Sequence, residues 1–234
     1  MSMDLAADRS LWHLLQISDQ FFPTGAYTFS HALEMYVAHG LVHDRASCQE
    51  LLTNLAYNAL GPCDLVFCAE AFGRAAANDV AAVVALDRLL AAFKTPRELR
   101  QESRHTGQAF LRVAQVLDAS PLTAAFSARV RDGTTPGHHP IAFGLVARHL
   151  GLGRDTTLLA FLYNVCAAWV AAAVRLVPLG QTDGQRLLHY LGSTLPDVLR
   201  RYRHLTPDQA WSFTPGLDLH SMQHERLYSR LCRS

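Results

Sequence analysis

The chain is patterned for helices along most of its length. Apolar residues recur at three- and four-residue steps, first at Phe29, Leu33, Tyr36 and Val37, then at Leu51, Leu52, Leu55 and Ala59. The longest series runs through Leu99, Ser103, Thr106, Phe110, Val113 and Leu117, with its apolar half C-terminal. Such spacing lays one stripe along one face of a helix. Sustained polar–apolar alternation, the mark of a strand, is hard to find. Ser47-Cys48-Gln49-Glu50, Thr95-Pro96-Arg97-Glu98 and Thr206-Pro207-Asp208-Gln209 all match the capping box. In that motif a hydroxyl accepts from the N3 amide and the N3 side chain reaches back to the cap. Pro96 and Pro207 then fall at N1, where a missing N–H costs nothing. Ser120-Pro121 is a fourth candidate start. Breaks fall near Gly40, Gly61-Pro62, Gly133 to Pro140, Gly151 to Gly153, Pro178 to Gly180 and Thr214 to Gly216. The pattern predicts an all-α fold, a single compact bundle of roughly nine or ten helices with a C-terminal tail. Residues 1–234 form one domain in this reading, with 1–10 loosely ordered and 206–234 a C-terminal, partner-binding extension.

One stretch needs arbitration. Thr156 to Val174 carries no charge, and its length approaches the ~20 residues that cross a bilayer. It is Ala-rich, has Asn164 at its middle, and has no second span to accompany it. A helix apolar all round is also what the centre of a soluble bundle requires, and that is the expectation here.

Composition narrows the function classes. Of 234 residues, 50% are hydrophobic and 18% charged, which excludes a mainly disordered chain. The formal charge of +1 supplies no long-range field for nucleic acid or an anionic membrane. Five cysteines, at 48, 63, 68, 166 and 232, are odd in number and form no C-x-x-C pair. Free thiols in a reducing compartment are the simplest reading. Met1 to Ser10 holds Asp4, Asp8 and Arg9 and no apolar run, so no secretory signal is expected, and a cytoplasmic location is.

Catalytic signatures are missing. The chain has no G-x-x-x-x-G-K-[ST], no G-x-S-x-G and no H-E-x-x-H. Twelve histidines raise a metal reading. His220 and His224 share a helix face at i, i+4 and Glu225 follows, so a histidine-dependent metal-binding protein or metalloenzyme is the rival hypothesis. A polar helix face is the simpler account of that pair. His138-His139 sits in the Gly/Pro loop, where adjacent residues rarely converge on one ion. The residues alone therefore point to a helical binding or scaffolding domain, with no catalytic residue, metal ligand or cofactor assigned.

Several stretches resemble one family. Leu14-Leu15-Gln16-Ile17-Ser18, then Pro23-Thr24-Gly25-Ala26-Tyr27-Thr28-Phe29-Ser30-His31-Ala32-Leu33-Glu34, is similar to the N-terminal signature of the urease accessory proteins UreF. Thr95 to Ser103 with Gly107, His139 to Gly144, and Arg175-Leu176-Val177-Pro178-Leu179-Gly180-Gln181-Thr182-Asp183-Gly184-Gln185 resemble its later blocks in order. The ending, Leu217-Asp218, Ser221-Met222, His224-Glu225 and Ser229-Arg230-Leu231 to Arg233-Ser234, is similar too. Three positions depart: Phe22 stands where Leu is expected, Ala32 where Gly is, and Cys232 where Phe is. The resemblance implies an all-helical, homodimeric protein without turnover. It implies binding to the accessory protein UreD (UreH in some systems), recruitment or modulation of the GTPase UreG, and nickel delivery to apo-urease.

It also nominates partner-binding residues: Tyr27, Glu34, Gln181, Asp183, Gln185, Met222, His224, Glu225, Tyr228, Arg230, Leu231 and Arg233. For Pro178 to Gln185, a fixed inter-helix corner competes with a polar surface read by UreG or a dimer mate. Thr182 and Gln185 form another capping-box pattern there. Glu34 is either solvated or paired with a buried arginine, and the family motif's acid at this position implies a partner-facing or network role. Asp218 to Ser234 is either the last packed helix of the domain or a tail that orders on UreD, with Arg230 and Arg233 as anchors.

Overall fold

A long rod in the first third of the chain forms one wall of the bundle. Helices α3 (Arg45–Leu55) and α4 (Val66–Arg74) are joined through a π-helical segment, Ala56–Leu65, without interruption. The Gly61-Pro62 break expected from sequence is therefore absent. A proline removes one backbone donor and crowds the preceding turn, and the wider π turn accommodates it. Pro62 lacks the N–H that would serve the carbonyls of Tyr57 and Asn58. Tyr202 Oη donates to Tyr57 O at 2.8 Å and Phe213 N–H to Asn58 O at 2.9 Å, so both acceptors are satisfied from elsewhere. Gly61 is needed for the close approach: a Cβ there would lie 2.5 Å from the Tyr202 ring and 2.7 Å from Val198.

The computed structural model describes residues 5–227 and 230–232. The remaining helices are α1 (Leu5–Ser18), α2 (Leu33–Ala38), α5 (Val80–Phe93), α6 (Arg97–Leu117), α7 (Pro121–Arg131), α8 (His139–His149), α9 (Arg154–Leu176), α10 (Gln181–Tyr202) and α11 (Pro215–His224). Single 3₁₀ turns occur at Ala26–Thr28, Ala75–Ala77 and Pro207–Gln209. No β-strand occurs among the described residues. Helix α1 begins at Leu5, inside the stretch expected to be loosely ordered.

Caps follow the expected chemistry with shifted addresses. Ser120 caps α7 with Pro121 at N1, and Thr206 and Gln209 close a capping box on a 3₁₀ turn. Asp44, not Ser47, is the N-cap of α3, and Ser47 is its N3 partner. Pro96 is itself the N-cap residue of α6, so Thr95 caps nothing. Gly180 precedes α10 with no side-chain cap, and Thr182 lies inside the helix.

Helix α9, the uncharged stretch, packs on α1, α2, α4, α8 and α10 and is largely buried. Phe67, Phe110, Phe126, Phe143 and Phe161 are each under 2% exposed, with Phe110–Phe143 and Phe143–Phe161 ring centroids 5.4 and 5.6 Å apart. Burying each contributes about 1.5–3 kcal/mol. Cys48, Cys63, Cys68 and Cys166 are free and buried, and burial pushes the Cys63 and Cys166 thiols up to about 12.

The Gly133 to Pro140 loop is locked in place. Asp87 on α5 is fully buried and accepts from Thr135 Oγ1 at 2.6 Å, Gly137 N–H at 2.6 Å and His138 N–H at 2.9 Å. Helix α6 crosses the loop at Gly107, where a Cβ would sit 2.2 Å from the Gly137 carbonyl oxygen. His138 and His139, placed by the sequence in the Gly/Pro loop, are buried where it enters α8: His138 is the N-cap and His139 the first helical residue, the loop-to-helix entry that the resemblance implies.

Candidate partner-binding surface

Two short stretches of sequence far apart each place a glutamate in the first turn of a helix: Glu34 in α2 and Glu98 in α6. The positive end of a helix dipole favours an acid there. Both side chains are buried. His224, the last residue of α11, lies between them with no solvent exposure. Its Nε2 is 3.1 Å from Glu34 Oε2 and its Nδ1 is 3.0 Å from Glu98 Oε2. The ring thus bridges the two carboxyl groups, one on each nitrogen.

The same acids hold the end of the chain. Arg230 Nη1 donates to Glu98 Oε1 at 3.0 Å, and Arg230 Nη2 donates to the Glu225 carbonyl. Leu231 N–H donates to Glu34 Oε1 at 2.8 Å and Cys232 N–H to Glu34 Oε2 at 3.2 Å. Burial opposes charge on Glu34, but the two amides and His224 outweigh it and hold the carboxyl below its ordinary value. One turn beyond Glu98, Glu102 Oε1 meets His31 Nδ1 at 2.6 Å. Behind this network lies a cavity of about 120 Å³, lined in part by His31, Lys94, Glu102, His139 and Trp169. Leu60, Phe93, Leu99 and Phe161 also line it, so most of its wall is apolar.

What the network presents outward is the tail. Arg230, Leu231 and Cys232 border a groove with Phe29, Arg104 and His105. Leu231 is 83% exposed. Leu219 and Met222 are exposed on α11. Tyr27 is exposed with the Arg175 guanidinium 4.1 Å over its ring, and Arg175 also donates to the Phe29 carbonyl at 3.1 Å. Attachment of Cys232 uses its backbone N–H, so the departure from the expected phenylalanine leaves that contact intact.

Glu34 and His224, nominated for a partner surface, thus face inward and hold the chain's own tail. Glu225 follows α11 as its C-cap and receives Arg230 on its carbonyl. Gln181 and Gln185 are exposed on the first turns of α10, at a different place in the chain. Asp183 pairs with Arg186 at 3.1 Å and lies 3.8 Å from Arg45 of α3. Tyr228 and Arg233 lie outside the described residues. The sequence presents Glu98 only as a capping residue. Its link to His224 spans 126 residues and leaves no local trace.

The rival metal constellation does not assemble. His220 stacks on Tyr36, away from the carboxylates that hold His224. Among the described residues, no three His, Cys, Asp or Glu side chains gather where one metal ion would sit.

Comparison with known proteins identifies the family. The sequence model of the UreF family matches residues 42–192. A urease accessory protein UreF of Actinobacillus pleuropneumoniae is 36% identical over 228 residues, covering 94% of this chain and 97% of the relative. The UreF of an Arthrobacter species is 35% identical, covering 94% of this chain and 96% of the relative. That of Bradyrhizobium diazoefficiens is 35% identical over 234 residues, covering 99% of this chain and 95% of the relative. With an all-helical fold and similarity running the length of the chain, the protein belongs to the UreF family of urease accessory proteins.

Proposed function

We propose that this protein is a scaffold for nickel insertion into apo-urease and performs no bond-making of its own. In this reading it works in the cytoplasm as a homodimer, binds the accessory protein UreD (UreH), and brings in or modulates the GTPase UreG. The observation that carries the reading is the docked tail. Two buried glutamates and a histidine hold Arg230 to Cys232 against α2 and α6, and the segment so held displays an exposed leucine beside arginine and histidine side chains. An apolar anchor flanked by cations fits a partner surface with a pocket rimmed by acids. The exposed start of α10, with Gln181 and Gln185, is assigned to the second partner or to the dimer mate. Membership of an accessory-protein family and the lack of a nucleotide-binding loop in this sequence agree with a GTPase acting as a separate chain.

Co-purification with tagged UreD tests the proposal. Parent protein is retained at low and high salt, and Arg230→Ala and Leu231→Ala are retained at least tenfold less while keeping parent helicity. Failure to retain the parent sinks the scaffold reading, and equal retention of both variants removes the tail from it.

A further inference from the structure

Helix α6 sorts its charges by sign. Its two acids, Glu98 and Glu102, turn toward the network and meet His224, Arg230 and His31. Its exposed positions carry Arg97, Gln101, Arg104, His105 and Arg112, with half-buried Gln108 between the last two. Steps of three and four residues put them on one stripe, and the stripe holds no acid. From Arg97 to Arg112 it runs about 22 Å at the rise of an α-helix. Arg100, by contrast, spends its guanidinium on the Lys94 and Thr95 carbonyls. Among the described residues, no carboxylate forms an ion pair with Arg97, Arg104 or Arg112. Arg97 lies in the first turn, where the helix dipole disfavours a cation, so the fold gains nothing from its charge. The other face of α6 packs on α7, α8 and α11. Beside the stripe lies the docked tail: Gln101, Arg104, His105 and Gln108 face Arg230 and Leu231 across a groove of about 820 Å³.

We infer that the cationic stripe of α6 is an electrostatic docking strip, which takes an acidic face of the same protein partner that receives the tail. Resting on the scaffold proposal above, the assignment gives that partner's acidic rim an address on α6. Guanidinium forks meet carboxylates through two parallel N–H bonds, and Gln101 and Gln108 add amide donors and acceptors between them. A phosphate chain would meet the same cations. The exposed Leu231 beside the stripe and the exposed Val116 beyond its far end favour an apolar contact instead, which a protein surface supplies. With a formal charge of +1 over the whole chain, the field is local to this strip. Exposed charges at the edge of an interface act chiefly on encounter: they speed association, and salt removes the gain. An apolar anchor seated in a pocket acts on dissociation. Stripe and tail thus divide the work, Arg97, Arg104 and Arg112 steering the partner in and Leu231 holding it.

Association and dissociation rates of the full-length chain on immobilised UreD, at low and at high salt, test it. At low salt Arg104→Gln/Arg112→Gln associates at least fivefold more slowly than the parent and dissociates within about twofold of it; at high salt the two associate alike. Leu231→Ala shows the converse split, with faster dissociation and little change in association. Arg200→Gln, at an exposed arginine of α10 paired with Asp197, behaves as the parent does. Glutamine is a good helix former, so α6 persists, which circular dichroism checks. Arg97→Gln, at the exposed start of the helix, repeats the effect to a smaller degree and decides the matter if the double variant loses helicity. With the parent bound, stripe variants that associate at the parent rate at low salt, or that are slowed equally at both salts, overturn the strip and leave the tail standing. A parent that binds UreD at neither salt removes the scaffold reading and the strip with it.

Discussion

Replacing Glu34 by glutamine isolates the grip on the tail. The parent carboxylate receives three donors: His224 Nε2 at 3.1 Å, Leu231 N–H at 2.8 Å and Cys232 N–H at 3.2 Å. Glutamine keeps a similar shape but offers one neutral acceptor, and its amide nitrogen then faces either the His224 ring or the two backbone donors. A hydrogen bond to a charged group contributes about 1.5–3 kcal/mol. Two of the three donors are backbone amides of the tail itself, and the tail reaches solvent, so the lower end of that range applies to each, about 3 kcal/mol in all against the docked tail. Because the tail opens without unfolding the bundle, the effect is local. Amide hydrogen exchange at Leu231 and Cys232 is the assay, with amides of buried α9 as reference. Exchange at the two tail amides rises at least tenfold, and the α9 amides stay within twofold of the parent. Unchanged tail exchange refutes the assignment of Glu34 as the anchor.

Two further outcomes come from the packing and the buried rings. Gly107→Ala puts a methyl 2.2 Å from the Gly137 carbonyl oxygen and 2.5 Å from the His139 nitrogen, both backbone atoms of a loop fastened by Asp87. It destabilises by about 3 kcal/mol or more, whereas Gly73→Ala, with nothing within 4 Å, is neutral or stabilising; urea unfolding separates them, and equal midpoints defeat the close-approach argument. Acid weakens the fold through His138 and His139, which burial first, then Lys94 (and for His138 also Arg104 and Arg100), pushes down to about 3. The unfolded chain takes up these protons near the ordinary value of about 6.5 and the folded chain does not, so the stabilisation is complete above that pH and is lost as pH falls toward 3. Each imidazole contributes about 1.4 kcal/mol per pH unit, and urea midpoints fall between pH 6.5 and 5.5; a flat profile refutes the burial of neutral rings. Asp87, whose carboxyl burial raises, works with the opposite sign as it protonates in the folded state first.

The range of each signal decides how much of the fold is legible in the sequence. The span of α6 can be read from its own face because helical periodicity is local, and so can the Ser120 cap, whose partner is three residues away. Ser47 looks like a cap because it is a hydroxyl three residues before an acid; Asp44 holds that place, with Ser47 completing the box from N3. Pro62 looks like a break because proline's local effect is to end a helix, and the widened turn persists through contacts with Tyr202, Val198 and the 211–213 strap. Glu34, Glu98, His224 and Arg230 each resemble an ordinary charged helix residue, and only the topology that brings α2, α6 and α11 together makes them one network. No window of the sequence contains it.

Ala32, where the family resemblance leads to an expectation of glycine, tests whether such departures matter. Its φ is 62°, in the left-handed region, which costs an alanine about 1–2 kcal/mol. The methyl is fully buried in a small cluster with Leu55 of α3 and Leu217 of α11, and burial of one carbon contributes about 0.8 kcal/mol. Glycine would relieve the backbone but lose that contact, and it would add about 0.4–1 kcal/mol of freedom to the unfolded chain. The terms cancel to within about 1 kcal/mol, so the departure is energetically small even though it falls two residues before the anchoring glutamate. The tail network therefore tolerates drift in its surroundings as long as Glu34 itself keeps its place at the start of α2.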